Sequence, residues 1–211
     1  GAISNAVNFP SITAEEAPKL KPYMALAPQL GSLIGQLQHG DLTQISIEVE
    51  GAAAELNIKP ITAAVLAGFM RRFSDAVNMV NAPYLAKERG FDIREIRHDR
   101  EGDYHTLVRV SVKTDIGERS VAGTIFSNAT PRLVELFGVK VEADLEGNML
   151  YVVNQDAPGF IGRLGTTLGE AGINIGTFHL GRQEAGGVAV LLLSVDTPVP
   201  AATLEAIHNL P

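Results

Sequence analysis

The apolar positions of this chain change period several times, and those changes divide it. Tyr23, Leu26, Leu30, Leu33, Ile34 and Leu37 recur at helical spacing and stop at Gly40. Pro28 lies inside that pattern, so it should kink the helix or mark its true start. Residues 43–50 alternate, with Ile45, Ile47 and Val49 on one face, as a half-buried strand requires. Ile61, Val65, Phe69, Phe73 and Val77 return to helical spacing and predict a helix over 61–80. Asn81-Ala82-Pro83 opens a short helix that Gly90 closes. Strands are predicted over 93–97, 105–113 and 118–126, the last two joined at Asp115-Ile116-Gly117. One or two more follow over 131–143, broken at Gly138. Residues 1–20 have little periodicity and two prolines, and read as an arm or linker.

Glu146-Gly147-Asn148 is a turn signal and marks the expected boundary between a domain at 21–146 and a smaller one at 147–211. Beyond it the order is strand 149–154, helix 157–171, strands 174–180 and 187–195, and helix 200–208. That is the ferredoxin-like βαββαβ pattern lacking its last strand. The expected class is therefore α+β, an α/β domain followed by a ferredoxin-like one. In such a sheet 149–154 and 174–180 are both edges, open to pairing with another chain.

Composition narrows the functions. The chain has 211 residues, 45% hydrophobic and 19% charged, an ordinary soluble composition for one large domain or two small ones. The net charge of −7 argues against nucleic acid as a partner. No apolar run is long enough to span a bilayer and no charged leader precedes one, so no membrane is expected. Cysteine is absent, which removes disulfides and thiolate sites and is compatible with the reducing cytoplasm, the expected location. The first residue is Gly1, not methionine, which suggests a fragment or a processed chain. His39, His98, His105, His179 and His208 are scattered without metal-ligand spacing. The glycines at 159, 162 and 165 do not make a dinucleotide loop. No catalytic, cofactor-binding or metal residue is expected, and the chain should be catalytically silent alone.

One stretch, NQDAPGFIGRLGTTLGEAGINIG at 154–176, carries a candidate site. Asp156 stands where a helix cap should be, Pro158 in the first turn and Gly172 at the stop. Taken singly, these residues need be no more than a capped amphipathic helix on a sheet. Together, Asn154, Gln155 and Asp156 offer amide groups and a carboxylate beside free N–H groups at a helix start. Those groups suit the ammonium and carboxylate of a small amino acid. Gly159 and Gly162 allow close approach to the backbone. A helix over 157–171 is roughly 20 Å long. Asn154 and Asp156 lie at its start and Asn174 beyond its end, so one small ligand cannot reach all of them in one copy. Across a two-fold axis at the 174–180 edge it could.

Residues 148–208 resemble an ACT domain, and 154–176 look like the serine-binding segment of the D-3-phosphoglycerate dehydrogenase family. AVNFPSITAEEAPKLKPYMALAPQLGSLIGQL at 6–37 resembles the segment leaving that family's catalytic core. TAAVLAGFMRRFSDAVNMVNAPYLAKERG at 62–90 is similar to its intervening, allosteric substrate-binding domain. The resemblance implies an L-serine site of Asn154, Gln155, Asp156, Pro158, Gly159 and Asn174 between two ACT domains, in a homodimer or tetramer. Asn154 departs from the histidine or tyrosine that relatives often carry. It further implies catalytic domains elsewhere in the polypeptide that use NAD to oxidise 3-phosphoglycerate. Arg132 aligns with, and Lys140 lies near, basic residues that bind a phosphate-bearing ligand in some relatives; a solvated surface pair is the simpler reading. Two alternatives stay open: the regulatory part of an iron–sulfur L-serine dehydratase, and an ACT domain that only joins subunits.

Overall fold

A computed structural model describes residues 12–98, 102–126 and 129–211. The chain forms two compact units that divide between Gly138 and Val139. The first unit contains helices α1 (Glu16–Leu37), α2 (Ile58–Met70) and α3 (Ala82–Glu88). Its strands are β1 (Leu42–Gly51), β2 (Asp92–His98), β3 (Thr106–Thr114), β4 (Gly117–Ile125) and β5 (Pro131–Leu136). They are ordered β2-β1-β3-β4-β5. β1 and β2 are parallel and enclose α2 and α3 in sequence, whereas β1, β3, β4 and β5 pair antiparallel. The alternation in β1 does what its pattern requires: Ile45, Ile47 and Val49 are fully buried beside Val108 and Val110 of β3.

Helix α1 starts seven residues earlier than its periodicity shows, inside the segment that reads as an arm; residues 1–11 of that arm lie outside the described residues. The cause is a capping box. The Thr13 hydroxyl accepts from the Glu16 N–H at 3.1 Å, and the Thr13 N–H donates to the Glu16 carboxylate at 3.4 Å. Thr13→Ala should cost about 1 kcal/mol in urea unfolding; an unchanged midpoint would show the box is not formed. Pro28 does not mark the start. One 22-residue helix runs through both Pro22 and Pro28, and burial of Leu20, Leu26, Leu30 and Ile34 offsets the lost backbone bonds.

Helix α2 ends at Met70, not near Val80. The apolar spacing continues, and Val77 is buried, but the backbone is captured by side chains. The Ser74 hydroxyl accepts from the Ala76 N–H at 3.2 Å and the Asn78 carboxamide from the Val80 N–H at 2.9 Å. Such local bonds compete with the helical ladder. The short helix at Asn81–Gly90 and the turn at Phe137-Gly138 are where the sequence puts them.

The second unit holds β6 (Val139–Ala143), β7 (Asn148–Gln155), α4 (Phe160–Glu170), β8 (Ile175–Arg182), β9 (Val188–Val195) and α5 (Ala201–His208). Its sheet is ordered β7-β9-β8, all antiparallel, so β7 and β8 flank the central β9. Phe160, Leu164 and Leu168 of α4 and Ile207 of α5 pack on Leu191 and Leu193 of β9. The stop at Gly172 is a Schellman motif. The Gly172 N–H donates to the Gly169 carbonyl at 3.0 Å and the Ile173 N–H to the Leu168 carbonyl at 2.9 Å, with Gly172 at φ +71°. No helix among the described residues is long and apolar enough to cross a membrane.

Candidate functional site

The loop between β7 and α4 is built differently from its sequence reading. Gly159 takes φ +88° and α4 begins only at Phe160. A side chain at 159 is strained by that backbone, whereas the Arg163 guanidinium, 2.8 Å from where a Cβ would stand, is the flexible end of a side chain and can shift. At Gly162 a Cβ meets nothing within 4 Å, so packing does not demand that glycine. With Ala157, Pro158 and Gly159 outside the helix, Asp156 does not cap it.

Its carboxylate instead turns to the β8–β9 hairpin. Oδ2 of Asp156 pairs with the Arg182 guanidinium and accepts from the Gly186 N–H at 3.2 Å. The Asp156 N–H donates to the Gly187 carbonyl at 2.8 Å, and the Gln155 carboxamide donates to the Gly186 carbonyl. Arg182 first, then the Gly186 N–H, hold the Asp156 carboxyl below its ordinary value of 3.8. The ionised form therefore supports the loop above 3.8, and that support is lost as pH falls through the lowered value. A carbon-detected NMR titration should place the Asp156 midpoint below 3.8, with the hairpin amide shifts following it. A midpoint at or above that value would mean that the Arg182 contact is not formed in solution.

Asn154 and Gln155 line a cleft of about 460 Å³ beside β7, together with Phe160, Leu204, Ile207 and His208. The Asn154 carboxamide donates to the Gln155 carbonyl at 2.6 Å. Pro158 and Gly159 are exposed at the loop tip. Asn174 lies past the far end of α4, where it donates to the Asp196 carboxylate at 2.9 Å. The 11 residues of α4 span about 16 Å, so five of the six candidate positions gather at the end of β7 and the loop after it, and Asn174 stands apart. Arg132 is a half-buried residue of β5 in the first unit, its guanidinium 5.8 Å from the Phe126 ring. Lys140 is exposed on β6 in the second, and its carbonyl lies 2.4 Å from where a Cβ on Gly181 would stand. Among the described residues no group of three or more His, Asp or Glu side chains is placed to hold a metal.

Sequence reasoning missed Arg182, Gly186 and Asp196. The signal for the first two was present: an arginine at a strand end, just before a Gly-Gly turn, can reach a carboxylate on a neighbouring loop.

A three-stranded sheet backed by two helices, with a polar loop at the end of its first strand, defines the second unit as an ACT domain, and residues 148–211 match that family. Residues 19–137 match the D-3-phosphoglycerate dehydrogenase intervening domain, and the chain belongs to the D-3-phosphoglycerate dehydrogenase family. It is 35% identical over 210 residues to D-3-phosphoglycerate dehydrogenase of Bacillus subtilis, covering 99% of this chain and 40% of that protein. The enzyme of Methanocaldococcus jannaschii is 36% identical over 208 residues, covering 98% and 39% respectively. That of Synechocystis is 33% identical over 205 residues, covering 96% and 37%. The chain thus spans about 40% of the length of these relatives and corresponds to their C-terminal part.

Proposed function

We propose that this chain is the allosteric regulatory and oligomerisation part of a D-3-phosphoglycerate dehydrogenase, and that it senses L-serine at an interface between two ACT domains. One observation carries the reading. Asn154 and Gln155 at the end of β7, with Asp156 just after them, and the lone Asn174 sit at opposite ends of α4, and β8 is an edge strand. If β8 pairs antiparallel with its symmetry mate, the loop of one copy meets Asn174 of the other. The ligand ammonium goes to Asp156 and amide oxygens, and its carboxylate to backbone N–H groups. Binding that differs between two arrangements of the assembly then biases the activity of catalytic domains carried elsewhere in the polypeptide, which oxidise 3-phosphoglycerate with NAD in the cytoplasm.

A structural reading competes, because Asp156 and Asn174 already have partners in Arg182 and Asp196. Calorimetric titration with L-serine decides between them, with glycine, D-serine and an Asp156→Ala chain as controls. Saturable, stereoselective heat at about one ligand per chain, lost in the variant, is the expected result. No heat from the unaltered chain favours an ACT domain that only joins subunits.

A further inference from the structure

We propose that Arg182 is a positioning residue of the effector site: it aims the Asp156 carboxylate and ties the ligand loop to the interface strand. The proposal rests on the effector reading above. Four contacts converge on this corner: Arg182 to Asp156, the Gly186 N–H to the same Asp156 oxygen, the Asp156 N–H to the Gly187 carbonyl, and Gln155 to the Gly186 carbonyl. An isolated surface ion pair contributes little. This one belongs to a closed set in which backbone and side chains of both segments take part, and both side-chain bonds of Asp156 fall on Oδ2.

The topology explains why an arginine is needed. With sheet order β7-β9-β8, β7 and β8 stand two strand spacings apart, about 9.6 Å. Arg182, the last residue of β8, reaches Asp156 past the turn that precedes β9. Gly186, at φ +75°, turns its N–H towards the same carboxylate. Arg182 and Asn174 flank β8 at its two ends. Across an antiparallel β8 pair, Arg182 of one copy therefore lies at the end that brings in Asn174 of the other. A ligand on Asp156 and a change in the β8 interface thus share one side chain.

The test uses Arg182→Ala and Arg182→Lys, with two readouts. The first is amide hydrogen exchange at Asp156 and Gly186 without ligand. The second is the affinity for L-serine. Arg182 is half exposed, so both variants should fold, which thermal unfolding verifies. In Arg182→Ala we expect faster exchange at both amides and L-serine affinity weaker by about tenfold or more, the loss of one charge-assisted bond. Arg182→Lys should recover part of both. Unchanged exchange in Arg182→Ala overturns the clasp. Faster exchange with unchanged affinity overturns the role towards ligand and leaves a structural contact. No heat with L-serine from the unaltered chain sinks the effector reading, and the positioning role with it; the exchange arm still reports whether Arg182 holds the loop.

Discussion

A Gly31→Val chain should lose most of the stability of its first unit. A Cβ at Gly31 would stand 2.0 Å from the Val65 carbonyl oxygen, 2.9 Å from its carbon and 3.0 Å from the Phe69 nitrogen. The contact is mutual: a Cβ at Gly68 would stand 2.0 Å from the Pro28 oxygen. These are backbone atoms inside helices, so no side chain can move aside and the helices must separate. Leu30, Ile34, Val65 and Phe69, all fully buried, would lose contact together. Overpacking usually costs about 1–3 kcal/mol, and a backbone clash belongs at or above the top of that range. A small domain has roughly 5–15 kcal/mol to lose. Gly165→Ala is the matched control, since it lies mid-helix in α4 with nothing within 4 Å of the new Cβ. It should stabilise by about 1 kcal/mol, the difference in helix propensity. Urea unfolding of the two variants beside the parent measures both. A Gly31→Val midpoint equal to the parent's would refute the close approach of α1 and α2.

The second large effect is a rescue. If each ligand site takes Asp156 from one copy and Asn174 from the other, Asp156→Ala and Asn174→Ala should each abolish L-serine binding in a pure preparation. Mixing the two chains should restore it. In a mixed dimer one site carries both defects and the other carries neither. Random pairing makes half the dimers mixed, so about a quarter of all sites return. Calorimetry or a fluorescence assay on an unfolded and co-refolded equimolar mixture reads that fraction. Binding that stays at zero after mixing, with both variants folded and dimeric, would falsify a shared site. Full binding by Asn174→Ala alone would place the ligand within one copy and leave the Asn174–Asp196 hydrogen bond as a structural contact.

Much of this architecture is legible in the chain because it is set locally. Alternation puts Ile45, Ile47 and Val49 on the buried face of β1, and spacing puts Phe160, Leu164 and Leu168 on the buried face of α4. Glycines at 90, 138, 159 and 172 all take positive φ, and three of them fall at predicted stops or breaks. The capping box Thr13-Ala14-Glu15-Glu16 was also readable and extends α1 into a segment whose apolar spacing is poor. The 61–80 helix shows the opposite case. Period alone continues through Val77, yet Ser74, Asn78 and Asn81 close local hydrogen bonds and end the helix at Met70.

The polar loop divides along the same line. Its composition, its place between β7 and α4, and the separation of Asn174 from Asp156 by one helix length follow from residue order and the rise of a helix. What Asp156 binds does not, because Arg182 and Gly186 come 26 and 30 residues later and meet it only through the order β7-β9-β8. Gly31 and Gly68 are likewise ordinary helix glycines until α1 lies against α2 and a carbonyl occupies the place of each missing Cβ. By itself the sequence determined the elements, their buried faces and the family, since these rest on local periodicity, turn chemistry and motif. The tertiary structure alone decided the partners of the charged and polar side chains, because those contacts join residues distant in the chain that no local spacing relates.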